Sequence, residues 1–84
     1  KADSGITPKM KQLFIHTVIS ITSANNIIVI KTLAGSASTI GVVVDALKHP
    51  AILGSVAGDD TMIIVVSSNE QVTDVVNKLN LMLK

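Results

Sequence analysis

The longest unbroken apolar runs of this chain are short, and their length limits the possible folds. They are residues 27–30 (IIVI) and 62–66 (MIIVV). Neither approaches the roughly 18 residues that a membrane-spanning helix needs. Both runs consist mainly of β-branched residues and have turn-forming residues nearby, a pattern that is typical of β-strands. The sequence therefore predicts a small protein built around a sheet, without a transmembrane helix.

The apolar content of the chain is too high for a monomer of this size. Hydrophobic residues make up 48% of the 84 residues and charged residues 15%, against about 25% charged residues in ordinary globular domains. A domain this small has a large surface relative to its volume and cannot bury so much apolar area by itself. We therefore predict an obligate oligomer, in which copies of the chain cover one another's apolar faces.

Residue types that are missing or rare exclude several functions. The chain has no cysteine, which excludes disulfides, thiolate zinc sites and cysteine nucleophiles and agrees with a cytoplasmic location. Phe14 is the single aromatic residue, the net charge is +1, and the seven basic residues, all lysines, are scattered. This composition offers neither a stacking platform nor a basic patch for nucleic acid. If the whole protein binds DNA, we expect another part of it to do so.

The first half of the chain shows two strand patterns followed by a helix pattern. Apolar and polar residues alternate over residues 12–22, and a second strand pattern over residues 26–33 follows a turn, so an antiparallel hairpin is predicted. Apolar residues then recur at steps of three and four in a segment that Ser36 can cap and Pro50 ends, which predicts a helix.

The second half repeats this order. Strand patterns over residues 52–57 and 61–67 flank a turn, and a clear helical stripe follows from Ser68, which has Gln71 at capping-box spacing. The predicted order is ββαββα. It corresponds to an α+β two-layer sandwich in which two helices cover one face of a four-stranded sheet. The other face would be covered by neighbouring subunits.

The first residues of the chain do not continue these patterns. Residues 1–11 are mostly polar and contain Gly5 and Pro8, so we predict a linker or arm there and a folded domain over residues 12–84. Because the chain begins at Lys1 rather than at a methionine, we expect it to be part of a longer protein.

Asp59 and Asp60 are adjacent, although the chain has only six acidic residues. Like charges on neighbouring residues repel one another, so the pair is electrostatically unfavourable unless other groups stabilise it. One interpretation is structural, since short acidic side chains bond the backbone in hairpin turns. The other is that the pair binds a cation with several donors, such as a guanidinium or an α-ammonium group. The chain contains no arginine, which favours a ligand from outside.

Other candidate chemistry has less support. Acid–base catalysis or magnesium binding by the aspartate pair would need further partners, and the remaining acidic residues are scattered. His16 and His49 each lack a second histidine at metal-ligand spacing, and we interpret both as structural. The loop at residues 35–38 (GSAS) could bind an anion, such as the carboxylate of an amino acid, with the N–H groups that open the next helix.

Several of these segments together resemble the C-terminal domain of bacterial arginine repressors. The resemblance covers residues 12–84, and its most specific part is the run GSVAGDDT at residues 54–61. Supporting matches are VIKTLAGSA at residues 29–37, Ile40, and DAL at residues 45–47. The chain has Ala34 where the family often has Pro, and Ser38 where it often has Gln.

The resemblance implies a ββαββα domain that forms trimers, which pair face to face into hexamers. It implies that L-arginine, the corepressor, binds between the trimers, and that a preceding winged helix-turn-helix domain contacts DNA. Carried over by position, Asp59 and Asp60 are the acidic ligands of arginine, one of them reaching it from the opposing trimer. The other residues expected at the arginine site are Asp45 on the first helix, Ser38, and the strand residues Ser55 and Ala57.

The resemblance therefore implies the ligand-sensing and oligomerisation domain of a cytoplasmic transcriptional repressor of arginine metabolism. It implies no catalytic residue, no metal site and no cofactor besides L-arginine. An alternative from another class is a small metal- or acid/base-dependent enzyme or regulatory subunit that uses the Asp59–Asp60 pair. No second catalytic group stands at a motif position to support that alternative.

Overall fold

The chain folds into an antiparallel sheet with helices packed against it. The computed structural model describes residues 5–83 of the chain. Its elements are, in chain order, α1 (Pro8–Thr17), β1 (Val18–Ala24), β2 (Ile27–Thr32), α2 (Ala37–Leu47), β3 (Ile52–Ala57), β4 (Thr61–Val66) and α3 (Asn69–Leu81). The strands lie in the order β1-β2-β4-β3, and every neighbouring pair is antiparallel. The predicted α+β class and the ββαββα order are confirmed, with one helix added in front.

Helix α1 corrects the sequence-based prediction. We predicted a strand over residues 12–22, but residues 12–17 belong to α1, and β1 starts only at Val18. The predicted linker over residues 1–11 overlaps the same helix, because residues 8–11 form its first turn. Residues 1–4 lie outside the described part of the chain. The domain boundary between residues 11 and 12 stays a prediction.

The start of α1 has a local cause. Pro8 occupies the first helical position, where a missing N–H costs nothing and the fixed φ suits the helix. The hydroxyl of Thr7 accepts a hydrogen bond from the N–H of Met10 over 3.1 Å and caps the helix. Packing adds a second cause, since Phe14 is fully buried in the core and α1 lies beside α2. Pro8, which we interpreted as part of a linker or arm, in fact opens a helix.

The core lies between the sheet and the helices. Strands β2 and β4 alternate strictly, so that Ile28, Ile30, Met62, Ile64 and Val66 are buried while their neighbours face the other side. Helix α2 lies mainly over β3 and β4, and α3 lies over β1, β2 and β4. The helices contribute the buried residues Ile40, Val43, Val44, Val72, Val75 and Leu79.

The predicted helix caps are wrong in detail. Neither Ser36 nor Ser68 makes a side-chain capping hydrogen bond, although each precedes a helix. Ser36 has φ −102° and ψ −7°, which is helical rather than extended, so its hydroxyl lacks the usual capping geometry. Helix α2 ends where Lys48 adopts the left-handed conformation with φ 52°. Within residues 5–83, no helix is long and apolar enough to cross a membrane.

The face of the sheet opposite the helices carries an apolar row that is not covered in the single chain. Val29 of β2 is paired with Ile63 of β4, and Ile63 is paired with Val56 of β3, so the three side chains form a row across this face. Ile63 is 43% exposed and Val56 is 73% exposed. We call this surface the open sheet face.

Candidate functional site

The two adjacent aspartates lie in the hairpin turn between β3 and β4. Gly58 donates its N–H to the carbonyl oxygen of Thr61 over 2.8 Å, which closes the turn around Asp59 and Asp60. Both aspartates are exposed. Among the described residues, neither carboxylate takes part in an ion pair. The turn therefore presents two negative charges at the surface of the single chain.

Two backbone hydrogen bonds hold this turn against the rest of the domain. The N–H of Thr32, at the end of β2, donates to the carbonyl oxygen of Asp60 over 2.8 Å. The N–H of Ala37, the first residue of α2, donates to the carbonyl oxygen of Asp59 over 3.1 Å. The second bond replaces the missing side-chain cap of α2, because it satisfies one of the N–H groups that a helix start leaves free. The aspartate turn is thus fixed to two different elements.

Helix α2 and strand β3 run alongside each other away from this turn. A Cβ atom built on Gly41 of α2 would lie 3.7 Å from the Cβ of Ala57, so these residues face each other. Further along, the hydroxyl of Ser55 lies 3.5 Å from Oδ1 of Asp45, a long hydrogen bond. We call this line of contact, from Ala37 to Asp45 on α2, the α2–β3 seam. At 1.5 Å per helical residue it is about 12 Å long.

The seam brings together the residues that the sequence resemblance selected. Ser38 and Asp45 are seven positions apart on α2 and therefore lie on nearly the same line of the helix. Both are exposed. Beyond Asp45, an open cavity of about 170 Å³ continues between the end of α2 and the start of β3. The structure thus arranges Ser38, Ala57, Ser55 and Asp45 along one seam, and the backbone of the turn that carries Asp59 and Asp60 is bonded to its end.

Lys31 and Thr61 are further residues at the aspartate turn, and neither was predicted as a site residue from the sequence. The ammonium group of Lys31 donates to Oγ1 of Thr61 over 2.8 Å, and that hydroxyl donates to Oδ1 of Asp60 over 3.0 Å. Lys31 and Thr61 are directly paired between β2 and β4. The order of residues along the chain contains no signal for this contact, because it depends on the register of two strands about 30 residues apart.

His49 makes structural hydrogen bonds, as we interpreted from its lone position. Its Nδ1 accepts from the N–H of Ala51 over 3.0 Å, so the neutral ring carries its proton on Nε2. That nitrogen lies 2.7 Å from Oδ2 of Asp74 on α3. The hydrogen bond from His49 lowers the pKa of Asp74 below its ordinary value of 3.8, and the charge of Lys78 acts in the same direction. His16 lies exposed in the last turn of α1.

Within residues 5–83, no three His, Asp or Glu side chains lie close enough together to hold a metal ion.

Comparison with known proteins identifies the kind of domain that has this fold and this seam. The sequence pattern of the family described as "Arginine repressor, C-terminal domain" matches residues 14–80, which is most of the chain. The chain therefore belongs to the arginine repressor family.

Individual relatives agree with this assignment. The chain is 38% identical over 84 residues to the arginine repressor of Ruminiclostridium cellulolyticum, which covers all of this chain and 56% of that protein. It is 39% identical over 80 residues to the arginine repressor of Exiguobacterium sibiricum, covering 93% of this chain and 54% of that protein. The chain is 34% identical over 79 residues to the arginine repressor of Clostridium tetani, and the match covers 94% of this chain and 52% of that protein. The chain thus spans about half the length of these relatives.

Proposed function

We propose that this chain is the oligomerisation and L-arginine-binding domain of an arginine-dependent transcriptional repressor that regulates arginine metabolism. In this proposal it is a binding domain and not an enzyme, it works in the cytoplasm, and L-arginine is its one small-molecule effector. DNA contact is assigned to a separate winged helix-turn-helix domain outside this chain. Family membership supports the general role, and the geometry of the aspartate turn supports the ligand.

The observation that carries the proposal is the way Asp59 and Asp60 are held. Two backbone hydrogen bonds fix their turn at the end of the α2–β3 seam, while both carboxylates stay exposed. Two carboxylates on adjacent residues suit the two cationic groups of arginine, its guanidinium and its α-ammonium, through charge-assisted hydrogen bonds. A turn with a purely local role would not need ties to both β2 and α2.

The open sheet face supports the oligomeric part of the proposal. Its apolar row of Val29, Ile63 and Val56 is suited to contact with other copies of the chain. We propose trimers that pair into hexamers, with arginine bound between the two trimers and contacted by an aspartate from each. Arginine then acts by linkage: it binds the hexamer better than the separate trimers and so increases the hexamer population.

Calorimetric titration of the assembled protein with L-arginine tests the proposal. Asp59→Asn and Asp60→Asn each remove one carboxylate and keep its size, so the fold survives. A charge-assisted hydrogen bond is worth about 1.5–3 kcal/mol, so each substitution weakens arginine binding roughly 10-fold to 150-fold. Magnesium chloride in place of arginine produces no binding heat.

Sedimentation velocity with and without arginine gives a second measurement on the same variants. The wild-type hexamer gains stability from arginine, whereas each Asn variant loses most of that gain and keeps its trimers. If one variant responds to arginine as the wild type does, that aspartate is only a turn residue. If magnesium binds and arginine does not, the arginine-binding role is wrong.

A further inference from the structure

Asp59 and Asp60 are held in different ways, although they are neighbours in one turn. The hydrogen bond that ties Asp59 to α2 uses its backbone carbonyl. Asp60 is held through its backbone carbonyl by Thr32 and, separately, through its carboxylate by the hydroxyl of Thr61. The orientation of the Asp60 carboxylate is therefore set by the protein before any ligand arrives.

The direction of the hydrogen bonds at Thr61 follows from the groups involved. A lysine ammonium can only donate, so Lys31 must use a lone pair of the Thr61 hydroxyl oxygen. The hydroxyl has one proton, and its other hydrogen-bond partner among the described residues is Oδ1 of Asp60, at 3.0 Å. A carboxylate can only accept, so that proton points to Asp60. Lys31 thus fixes the hydroxyl as a donor to Asp60.

The pairing of β2 with β4 places these groups next to one another. Lys31 and Thr61 are directly opposite each other in the β2–β4 ladder, and Thr32, the next residue of β2, holds the carbonyl oxygen of Asp60 over 2.8 Å. Two consecutive residues of β2 therefore control the side chain and the backbone of one aspartate. A site on strands keeps its geometry better than one on a free loop.

We propose that Thr61 and Lys31 are positioning residues for arginine recognition: Thr61 holds the Asp60 carboxylate in the orientation that receives a cationic group of the ligand, and Lys31 fixes the Thr61 hydroxyl as the donor. This inference rests on the proposed arginine-binding function. One oxygen of Asp60 is engaged by Thr61, which leaves the other oxygen, Oδ2, to face the ligand. Within residues 5–83, no side chain donates a hydrogen bond to the Asp59 carboxylate, so the two aspartates contribute unequally.

Thr61→Val and Thr61→Ser form a matched pair of variants. Valine keeps the shape and the strand preference of threonine but removes the hydroxyl, whereas serine keeps the hydroxyl. In calorimetric titrations of the assembled protein, Thr61→Val weakens arginine binding about 3-fold to 10-fold, as expected for the loss of one hydrogen bond. Thr61→Ser binds within about twofold of the wild type. Both variants keep the wild-type sedimentation profile without ligand.

The role of Lys31 is tested by a double-mutant cycle, because its positive charge also repels a cationic ligand. That repulsion is the same whether residue 61 is threonine or valine, whereas the orienting effect needs the Thr61 hydroxyl. Lys31→Met therefore reduces arginine affinity more in the wild type than in the Thr61→Val variant, by about 2-fold to 5-fold.

The outcomes separate this inference from the proposed function. If the wild type binds no arginine, both are wrong. If the wild type binds arginine and Thr61→Val binds it equally well, the positioning role is wrong while the arginine site stands. If the Lys31→Met effect is the same in both backgrounds, Lys31 acts only through its charge and not through Thr61.

Discussion

The N–H of Ala37 donates to the carbonyl oxygen of Asp59 over 3.1 Å, and this bond joins the first residue of α2 to the aspartate turn. The first N–H groups of a helix have no partner within the helix and are commonly bonded by a capping side chain. Here a carbonyl from a distant hairpin takes the place of a capping side chain, since Ser36 makes no such bond. Any ligand that moves the aspartate turn will therefore also act on the start of α2.

Hydrogen exchange of single amides tests this tie. In an ordinary first helical turn, the amides of the first three residues exchange at similar fast rates. We expect the amide of Ala37 to exchange about tenfold or more slowly than those of Ser38 and Thr39, because it opens only together with the aspartate turn. The measurement is exchange followed by NMR on the assembled protein. Equal rates at all three amides would show that α2 and the turn move independently.

Ligand selectivity follows from the chemistry of two adjacent carboxylates. Arginine has a planar guanidinium that can make paired hydrogen bonds, whereas the lysine ammonium is a compact point charge. We therefore expect the protein to bind arginine with much higher affinity than lysine. Citrulline has nearly the same shape as arginine but no charge on its side chain, and it binds weakest of the three. Competition titrations against arginine give this order directly. Equal affinity for arginine and citrulline would mean that charge pairing does not determine binding.

The hairpin that carries the aspartates could be predicted closely from the sequence. The strand predicted over residues 52–57 agrees with the observed β3 (Ile52–Ala57), and β4 (Thr61–Val66) ends one residue earlier than predicted. These strands have strong β-branched character and are separated by a clear turn, so local preference and tertiary structure agree. The strand predicted over residues 12–22 was wrong in its first half, because there the local pattern and the tertiary structure disagree. Leu13 and Ile15 suggested a period of two, while the buried Phe14 and the Pro8 helix start favour a helix.

The candidate site could be predicted only in part. The aspartate pair is adjacent in sequence, and the resemblance selected residues on both sides of the α2–β3 seam. Lys31, by contrast, reaches the site because β2 pairs with β4 in one particular register. Gly41 faces Ala57 only because α2 lies against β3. Contacts of this kind depend on tertiary packing and are not encoded in any local pattern.

Assembly through the open sheet face is tested by placing a charge in its apolar row. Val56 is 73% exposed in the single chain, so Val56→Lys leaves the core of the monomer intact. Burying a lysine without a partner against another copy is costly, so we expect the variant to shift from trimers and hexamers to smaller species at micromolar concentration. Light scattering and sedimentation velocity measure this shift.

Thr73→Lys is the matched control for this experiment, because Thr73 is exposed on α3, on the other side of the molecule from the open sheet face. This variant should assemble as the wild type does. A wild-type chain that is a well-folded monomer would contradict the predicted obligate oligomer. A Val56→Lys variant that assembles normally would show that the contact between copies lies elsewhere.

His49 ties the end of α2 to α3, and its removal should destabilise the fold. In His49→Ala the N–H of Ala51 loses its acceptor, and Ala51 is only 6% exposed. An unsatisfied buried amide costs about 1–3 kcal/mol, which we expect as the loss in free energy of unfolding. His16→Ala is the control, since His16 is exposed, and it should change the stability by no more than about 0.5 kcal/mol. Urea unfolding at equal protein concentration measures both.

The dependence of stability on pH provides a separate test of the contact between His49 and Asp74. The hydrogen bond from His49 holds the pKa of Asp74 below 3.8 in the folded state. A carboxyl group with a lowered folded pKa stabilises the fold above its unfolded pKa, and this contribution is lost as the pH falls through the folded value. We therefore expect Asp74→Asn to be less stable than the wild type at pH 7, with a difference that shrinks as the pH falls below 3.8. In the His49→Ala background the same substitution should have a much smaller effect at every pH. A difference between wild type and Asp74→Asn that stays constant from pH 7 to strong acid would contradict this account of the contact.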